Sequence, residues 1–366
     1  MARSLTQDFK RLIIENVPLI DVRAPVEFDK GAFPNAINLP LLNDAERKEV
    51  GICYKNEGNK RAIELGHRLI SGEVKDARIS AWESYIKKHP DAVLYCFRGG
   101  QRSRISQSWL QERGYPISRI EGGYKAFRHY LLEELEHMEG KFIPVLLGGR
   151  TGSGKTLLLQ NIKEMIDLEG LAKHRGSAFG GFIDPQPAQI DFENNLAFAL
   201  IKKLHEGASH LVFEDEGKHV GRLYLPSKFH EGIAKAGLVV LETPLQERVE
   251  ITFDEYITQA QKNYTKSFGK EIGLQAWSAM MIASINRIER RLGTQRHREI
   301  LELFEEACAL QKELNDLRLH KVWIQVLLER YYDPMYDYQL RKKENDVLFK
   351  GDKDAVLTFL GGKGIS

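Results

Sequence analysis

The segment with the clearest chemical signature is 149–156, whose sequence is Gly-Arg-Thr-Gly-Ser-Gly-Lys-Thr. It matches the Gly-x-x-x-x-Gly-Lys-Thr pattern of a P-loop, in which backbone N–H groups turn inward around phosphate oxygens. Lys155 is expected to reach the terminal phosphate, and the Thr156 hydroxyl to ligate Mg²⁺. The predicted phosphate-binding residues are Gly149, Thr151, Gly152, Ser153, Gly154, Lys155 and Thr156. A glycine-rich turn could match by chance, but a strand pattern before it and a helix pattern after it favour phosphate binding.

A P-loop contacts phosphate oxygens only, so the pattern does not distinguish a nucleotide from another diphosphate. Residues 211–216, Leu-Val-Phe-Glu-Asp-Glu, end an apolar run in three carboxylates. Such a strand end can supply a second Mg²⁺ ligand, and Asp215 is the preferred candidate. The acids could also simply mark where the strand reaches the surface. The sequence leaves open which of Glu214, Asp215 and Glu216 faces the P-loop.

Cys96 opens a second candidate site, the segment 96–103 with the sequence Cys-Phe-Arg-Gly-Gly-Gln-Arg-Ser. A loop of this kind, between a strand and a helix, can encircle one sulfur. Its N–H groups, the helix start, Arg98 and Arg102 would stabilise a thiolate and attract an anion. A lone cysteine in an intracellular protein is usually an inert core residue, but these surroundings favour a catalytic one.

Arginine and tyrosine side chains near the end of the chain are candidates for nucleic-acid binding. Arginine would contact phosphate, and tyrosine could stack on an exposed base. The candidates are Arg287, Arg290, Arg291, Arg296, Arg298, Tyr331 and Tyr332. A solvated helix face with tyrosines in the core explains the same pattern. The formal net charge of +2 offers no overall attraction to nucleic acid, so any contact must be local.

The elements that position the cysteine loop lie within residues 1–138, which alternate short apolar runs with helical patterns. We predict strands at 18–22, 92–96 and 117–121, a helix at 62–70 and a terminal helix at 127–139. This order is typical of a parallel α/β domain. The domain boundary is predicted after residue 138.

Residues 139–366 are predicted to form a P-loop NTPase-like α/β domain with a helical C-terminal region. A buried strand at 142–147 precedes the P-loop, and a helix at 156–166 follows it. Further strands are predicted at 210–214 and 238–242, and amphipathic helices from about residue 245. The segment 182–194, rich in proline and amides, is expected to be an ordered loop beside the phosphate site.

Composition limits the class of protein. The 366 residues are 42% hydrophobic and 28% charged, as in ordinary globular proteins, and no apolar run approaches the roughly 18 residues of a membrane span. The first residues do not resemble a secretory signal, so we expect a cytoplasmic protein that does not associate with a membrane. The three cysteines fit neither a disulfide framework nor a zinc site, and Cys53 and Cys308 are predicted to be structural.

Over residues 8–138 the chain resembles the rhodanese (sulfurtransferase) family. The similarity rests on Asp21-Val-Arg23, Glu27-Phe28, the segment 31–40 and the cysteine loop, in that order. With the P-loop and the segments 51–55, 175–177, 185–187, 192–194 and 331–336, nearly the whole chain is similar to the tRNA 2-selenouridine synthase family. It departs from that family at Phe97, where tryptophan is frequent, and at Gly217-Lys218.

The resemblance implies a rhodanese-like parallel-sheet domain whose loop cysteine, here Cys96, carries a transferable chalcogen. It implies an enzyme that replaces sulfur by selenium in wobble 2-thiouridine of tRNA. The selenium donor would be selenophosphate, supplied by selenophosphate synthetase, and the intermediate an S-geranylated nucleoside made from geranyl diphosphate. The P-loop would then hold the diphosphate leaving group, with Lys155 and Mg²⁺ neutralising its charge, while Arg98 and Arg102 hold selenophosphate.

Two other functions remain open at this stage. One is a tRNA sulfurtransferase with an ATP-dependent P-loop activity, which would not require selenophosphate. The other is a tRNA-binding regulator, against which the intact cysteine loop argues. The sequence does not tell which tRNAs are bound, whether Cys96 carries selenium covalently, where a geranyl chain would bind, or what the oligomeric state is.

Overall fold

The computed structural model describes residues 5–181, 183–343 and 346–362. In it the chain forms two compact units. The first contains the residues up to Met138 together with Ala188–Gly207, and the second contains Glu139–Pro187 and the residues from Ala208 onward.

The first unit contains a parallel five-stranded sheet in the order β1-β5-β4-β2-β3. Its strands are β1 Leu5–Thr6, β2 Leu19–Asp21, β3 Ala36–Asn38, β4 Val93–Tyr95 and β5 Ser118–Ile120. The three strands predicted in this region are confirmed as β2, β4 and β5. Every residue of β2 and β4 is buried, as expected for strands covered on both faces.

The helices of this part of the chain are α1 Phe9–Ile14, α2 Pro25–Phe28, α3 Asp44–Leu69, α4 Gly72–Lys88, α5 Gln101–Glu112 and α6 Gly123–Glu136. α3 is kinked at Gly58, whose φ of 84° is outside the helical range. Its second half covers residues 62–69 of the predicted helix 62–70, and α6 covers most of the predicted helix 127–139. The core includes Trp82 and Phe127, both fully buried.

The second unit contains a parallel four-stranded sheet in the order β11-β10-β6-β7. The strands from here on are β6 Ile143–Gly149, β7 His210–Glu214, the antiparallel pair β8 His219–Val220 and β9 Leu223–Tyr224, β10 Gly237–Leu241 and β11 Val347–Gly351. β6, β7 and β10 confirm the predicted strands. The predicted helical C-terminal region is confirmed, and β11 is a strand within it that was not predicted, because the short apolar run at 347–349 pairs with the edge of β10.

Helices make up most of the rest. They are α7 Lys155–Leu159, α8 Leu168–Leu171, α9 Gln189–His205, α10 Ser227–Ile233, α11 Leu245–Phe253, α12 Ala260–Phe268, α13 Lys270–Arg287, α14 Glu289–Leu292, α15 Thr294–Leu314, α16 His320–Leu327, α17 Asp333–Lys342 and α18 Lys353–Gly362. π-helical turns occur at Asp254–Gln259 and Leu328–Tyr332. The C-terminal helices pack around Trp277, Phe304 and Trp323.

The helix predicted at 156–166 is shorter than expected. α7 ends at Leu159, and the following chain bonds to the edge of the sheet instead. Val212 donates its N–H to Glu164 O at 2.9 Å, and Ile166 donates to Val212 O at 3.0 Å. These sheet-type bonds use backbone groups that a longer helix would have paired internally.

The segment 182–194 also differs from its prediction. Residue 182 lies outside the described residues, 183–188 is irregular, and α9 begins at Gln189, so 189–194 is helical. α9 packs within the first unit, where the Phe198 ring lies 5.9 Å from that of Phe127. Asp191 accepts the Ala32 N–H at 2.8 Å. We predicted a single domain boundary after residue 138. The observed division agrees with it except for the segment Ala188–Gly207, which contains α9 and belongs to the first unit.

Candidate functional site

The P-loop of the second unit leaves β6 at Gly149 and enters α7 at Lys155. Gly152 and Gly154 have φ of 77° and 82°, values that favour glycine. A Cβ on Gly152 would lie 2.3 Å from Thr252 Oγ1, so no larger residue fits there. Lys155 donates its Nζ to Gly149 O at 2.8 Å, which holds the ammonium group over the loop. The strand, loop and helix thus have the arrangement that phosphate binding requires.

Two ion pairs hold the P-loop from outside. Arg248, only 1% exposed, donates Nε to Thr151 O at 3.0 Å and both terminal nitrogens to the Asp333 carboxylate at 2.6 and 3.0 Å. Arg150, within the loop, pairs with Asp337 at 2.6 Å. Because Asp333 and Asp337 belong to α17, this helix and α11 together fix the backbone of the loop. Arg248 and Asp333 were not predicted to hold the P-loop, because both lie far from it along the chain and only the fold brings them to it.

The three consecutive acids at the end of β7 and directly after it, Glu214, Asp215 and Glu216, have different surroundings. Glu214 is buried, and it accepts the Leu168 N–H at 2.9 Å. Burial, and then the nearby Asp167 carboxyl, raise the pKa of Glu214 well above its usual value. Asp215 pairs with Lys343, and Asp215 and Glu216 both line the P-loop cavity. Glu214 therefore has a structural position, and the other two acids face the site.

Glu216 meets a second carboxyl group, Glu169 of α8. Burial and the neighbouring Glu216 raise the pKa of Glu169, while Lys155 acts in the opposite direction. A Cβ on Gly176 would lie 2.4 Å from Glu216 Oε1 and 2.5 Å from Glu169 Oε1, so glycine is needed at 176 to admit both side chains. Glu169 was not predicted from the sequence, because it is far from the acids of β7 along the chain.

The P-loop opens into a cavity of about 1210 Å³ within the second unit. Its wall combines phosphate-binding backbone, acids, arginines and tyrosines. Besides the P-loop it is lined by Glu169, Asp215, Glu216, Glu255, Arg175, Arg222, Arg287, Arg290, Arg291, Tyr256, Tyr331, Tyr332 and Tyr336. All seven predicted phosphate-binding residues and the predicted metal ligand Asp215 line this one cavity.

The structure separates the residues predicted to bind tRNA into three groups. Arg287, Arg290 and Arg291 line the cavity, whereas Arg296 and Arg298 are exposed on α15 and are not part of its lining. Tyr331 and Tyr332 also line the cavity, but they are only 8% and 3% exposed and belong to the helical core, which favours packing over the expected stacking on a base. Their burial is a tertiary property that the aromatic pattern alone does not reveal.

In the first unit, the cysteine loop connects β4 to α5. Cys96 is 3% exposed, and its Sγ donates to Ser103 Oγ at 3.2 Å. Gly99 has a φ of 65°, and a Cβ on Gly123 would lie 2.2 Å from Cys96 O and 2.4 Å from Gly99 N. The start of α6 therefore packs directly against the loop. Tyr124 also donates its N–H to Cys96 O at 2.8 Å.

The arginines near Cys96 differ in their bonding. Arg98 is exposed, while Arg102 donates to both oxygens of Glu27 at 2.5 and 3.1 Å. Burial would raise the pKa of Glu27, but the guanidinium groups of Arg102 and Arg47, together with the Ala24 N–H, outweigh burial and the pKa is lowered. Arg119, which was not predicted, donates to Gly99 O at 2.8 Å and so helps to hold the loop. An anion entering this loop would compete with Glu27 for Arg102.

Within the described residues, no helix is long and apolar enough to cross a membrane, and no group of three or more His, Cys, Asp or Glu side chains is placed to hold a metal ion.

Two family models match the chain. Residues 5–130 match the rhodanese-like domain, and residues 143–364 match the tRNA 2-selenouridine synthase AAA domain. Three relatives are named tRNA 2-selenouridine synthase: one from Sulfurovum sp., 56% identical over 97% of both chains; one from Hydrogenovibrio crunogenus, 49% identical over 97% of this chain and 98% of its own; and one from Shewanella frigidimarina, 47% identical over 97% of both. A solved domain from Clostridium difficile 630, described as part of an ATP/GTP binding protein, covers 35% of this chain at 34% identity, with a TM-score of 0.33.

Proposed function

The chain belongs to the tRNA 2-selenouridine synthase family, and on that basis we propose that it replaces the sulfur of wobble 2-thiouridine in tRNA by selenium. It would act as a transferase in two steps, geranyl transfer and then selenium transfer, in the cytoplasm. The observation that supports this best is the presence of two separately built sites in one chain, a P-loop cavity and a buried cysteine loop.

The first step is assigned to the P-loop cavity. The thiocarbonyl sulfur of the base attacks the geranyl carbon that bears the diphosphate, the new S–C bond forms, and diphosphate leaves. Gly149, Thr151, Gly152, Ser153, Gly154 and Thr156 would surround the leaving group, and Lys155 would neutralise its charge. Ile288 and Met335 line the same cavity and offer apolar surface to the geranyl chain.

Mg²⁺ is proposed as the cofactor of this step. The Thr156 hydroxyl and the Asp215 carboxylate line the same cavity and are oxygen donors, which Mg²⁺ prefers. Two protein ligands would suffice, because Mg²⁺ is usually bound by one or two protein groups together with substrate phosphates and water. When bound, it would stabilise charge on the leaving diphosphate. Asp215 would then release its ion pair with Lys343 and bind the metal instead.

The second step is assigned to the cysteine loop. The selenium of selenophosphate attacks C2 of the geranylated base, the C2–S bond breaks, and geranylthiol departs with the selenophosphate proton. Water then cleaves the P–Se bond, so that phosphate is released and 2-selenouridine remains. Cys96 would direct the selenium toward C2, and Arg98 and Arg102 would hold the oxygens of selenophosphate, which selenophosphate synthetase supplies. The exposed Arg98 is accessible to an anion, and Arg102 would become so by releasing Glu27.

Nucleoside mass spectrometry tests this function directly. A tRNA that contains 2-thiouridine is incubated with the protein, Mg²⁺, geranyl diphosphate and selenophosphate, and each component is omitted in turn. We expect geranylated nucleoside without selenophosphate and 2-selenouridine when all are present. If ATP added to the same incubation is hydrolysed while neither product forms, the result would instead support a sulfurtransferase with an ATP-dependent P-loop activity.

A further inference from the structure

We infer that Arg290 and Arg291 bind the phosphates that flank the wobble nucleotide, and that its base enters the P-loop cavity flipped out of the anticodon stack. This inference rests on the proposed function, since it takes tRNA as the substrate of this cavity. The inference goes further than that function in two ways. It places the reacting nucleotide against the part of the cavity wall formed by Arg290 and Arg291, and it excludes Arg296 and Arg298 from the contact.

The size of the cavity supports two ligands. Pockets for a single small molecule usually measure about 300–1,000 Å³, and this one measures about 1210 Å³. The P-loop takes up only one side of it. A diphosphate compound on the P-loop therefore leaves room for a nucleotide within the same enclosure.

The position of the arginines supports a phosphate contact. Arg287 is the last residue of α13, and Arg290 and Arg291 lie in the short helix α14 that follows it. All three line the cavity. Gly293, with a φ of 86°, then ends α14, and α15 carries Arg296 and Arg298 away from the lining.

The bonding of these arginines distinguishes them further. Arg287 donates to Ala178 O at 3.1 Å, and Arg296 to Arg330 O at 3.5 Å. The side chains of Arg290 and Arg291 have no hydrogen-bond or ion-pair partner among residues 5–181, 183–343 and 346–362. Two adjacent guanidinium groups with all donors available, facing a cavity, suit bidentate binding of phosphate oxygens.

Base flipping follows from the place where the sulfur and the geranyl carbon must meet. The thiocarbonyl sulfur must reach a carbon attached to the diphosphate on the P-loop, inside the cavity. A base stacked between its neighbours cannot place that atom there, and enzymes that react with a base commonly extrude the nucleotide into a pocket. Phosphate contacts at the cavity wall would hold the backbone on each side of the extruded base.

The test compares the double variant Arg290→Gln/Arg291→Gln with the control Arg296→Gln/Arg298→Gln. The probe is an anticodon stem-loop RNA with 2-aminopurine at the wobble position, whose fluorescence rises when it unstacks. Binding is measured over a range of salt concentrations, and circular dichroism verifies that each exposed-residue variant is folded.

We expect wild type and control to raise the fluorescence on binding, and the Arg290/Arg291 variant to lose that rise. Its slope of log affinity against log salt should fall by about 2, one for each lost phosphate contact, with a smaller change in the control. An unchanged slope and fluorescence in the Arg290/Arg291 variant would overturn the inference. If wild type shows the fluorescence rise but makes no modified base from 2-thiouridine RNA, the proposed chemistry fails and the RNA site stands.

Discussion

At the scale of single residues, the buried His320 shows how packing fixes a protonation state. His320 is fully buried among the C-terminal helices. Trp323 donates Nε1 to His320 Nδ1 at 3.0 Å, so the proton lies on Nε2, which faces Gln311 Oε1 at 2.9 Å. Burial lowers the pKa of His320 to about 4. The neutral ring thus completes a hydrogen-bonded network in an apolar core.

This network predicts a loss of stability in mild acid. The unfolded chain binds a proton at His320 near pH 6.5, whereas the folded protein does so only near pH 4. Stability should therefore fall as pH drops through this window, by up to about 3 kcal/mol, and then level off. Urea unfolding of wild type and His320→Gln from pH 7 to 4 measures this. The variant should be less stable at pH 7 but have a flatter profile, and equal pH slopes would contradict the prediction.

A second prediction at this scale concerns Gly123. Gly123→Ala would push a methyl group into Cys96 O and Gly99 N, and should abolish selenium transfer by displacing the cysteine loop. Gly114→Ala is the matched control, because Gly114 also has a positive φ, 83°, but has no atom within 4 Å of an added Cβ. Both variants carry the backbone cost of about 1–2 kcal/mol, so the comparison isolates the clash. Selenation of geranylated tRNA is the readout, and equal loss in both variants would count against the prediction.

Residue types and spacing predicted the chemistry of several residues but not their burial. The glycine pattern at 149–156 needs only local sequence, and its loop has the predicted shape. The burial of Glu214 and Tyr332 depends on α8 and on the C-terminal core, which lie elsewhere along the chain. The roles of Cys96, Arg98, Arg102 and Lys155 remain predictions.

At the scale of elements, α11 and α17 hold the P-loop through the Arg248–Asp333 pair. Asp333→Asn would leave a guanidinium that is 1% exposed without its carboxylate. We expect about 3 kcal/mol of destabilisation, from the buried unpaired charge. The KM for the diphosphate substrate should also rise, because Arg248 orients the Thr151 carbonyl.

Asp316→Asn is the control for that substitution, since Asp316 pairs with Arg318 at the surface. Thermal unfolding and steady-state kinetics would be measured on both variants. A change in KM equal in the two variants, or none in Asp333→Asn, would show that the pair does not position the loop.

Helices and strands were predictable from the sequence where their hydrogen bonds are local or where their apolar runs are long. β7 was predicted at its observed bounds, 210–214. The end of α7 at Leu159 was not, because the next residues bond to Val212, about fifty positions away. β11 was not predicted, because its five residues form a strand only through their hydrogen bonds to β10.

At the scale of the whole molecule, the chain combines a rhodanese-like unit with a P-loop unit, as the order of motifs predicted. The return of α9 to the first unit was not predictable, because its partners Phe33 and Phe127 lie far away in sequence. Under the proposed function, alkylation would take place at the P-loop site of one unit and selenium transfer at the cysteine loop of the other.

That division of the two steps between the sites is tested most directly by supplying the intermediate. Lys155→Ala and Cys96→Ala are each incubated with 2-thiouridine tRNA and, separately, with S-geranylated tRNA, and the nucleosides are identified by mass spectrometry. Lys155→Ala should fail to geranylate 2-thiouridine yet convert S-geranylated tRNA to 2-selenouridine, while Cys96→Ala should geranylate and stop there. If Lys155→Ala cannot use the S-geranylated tRNA, or Cys96→Ala converts it fully, the assignment of one step to each site is wrong.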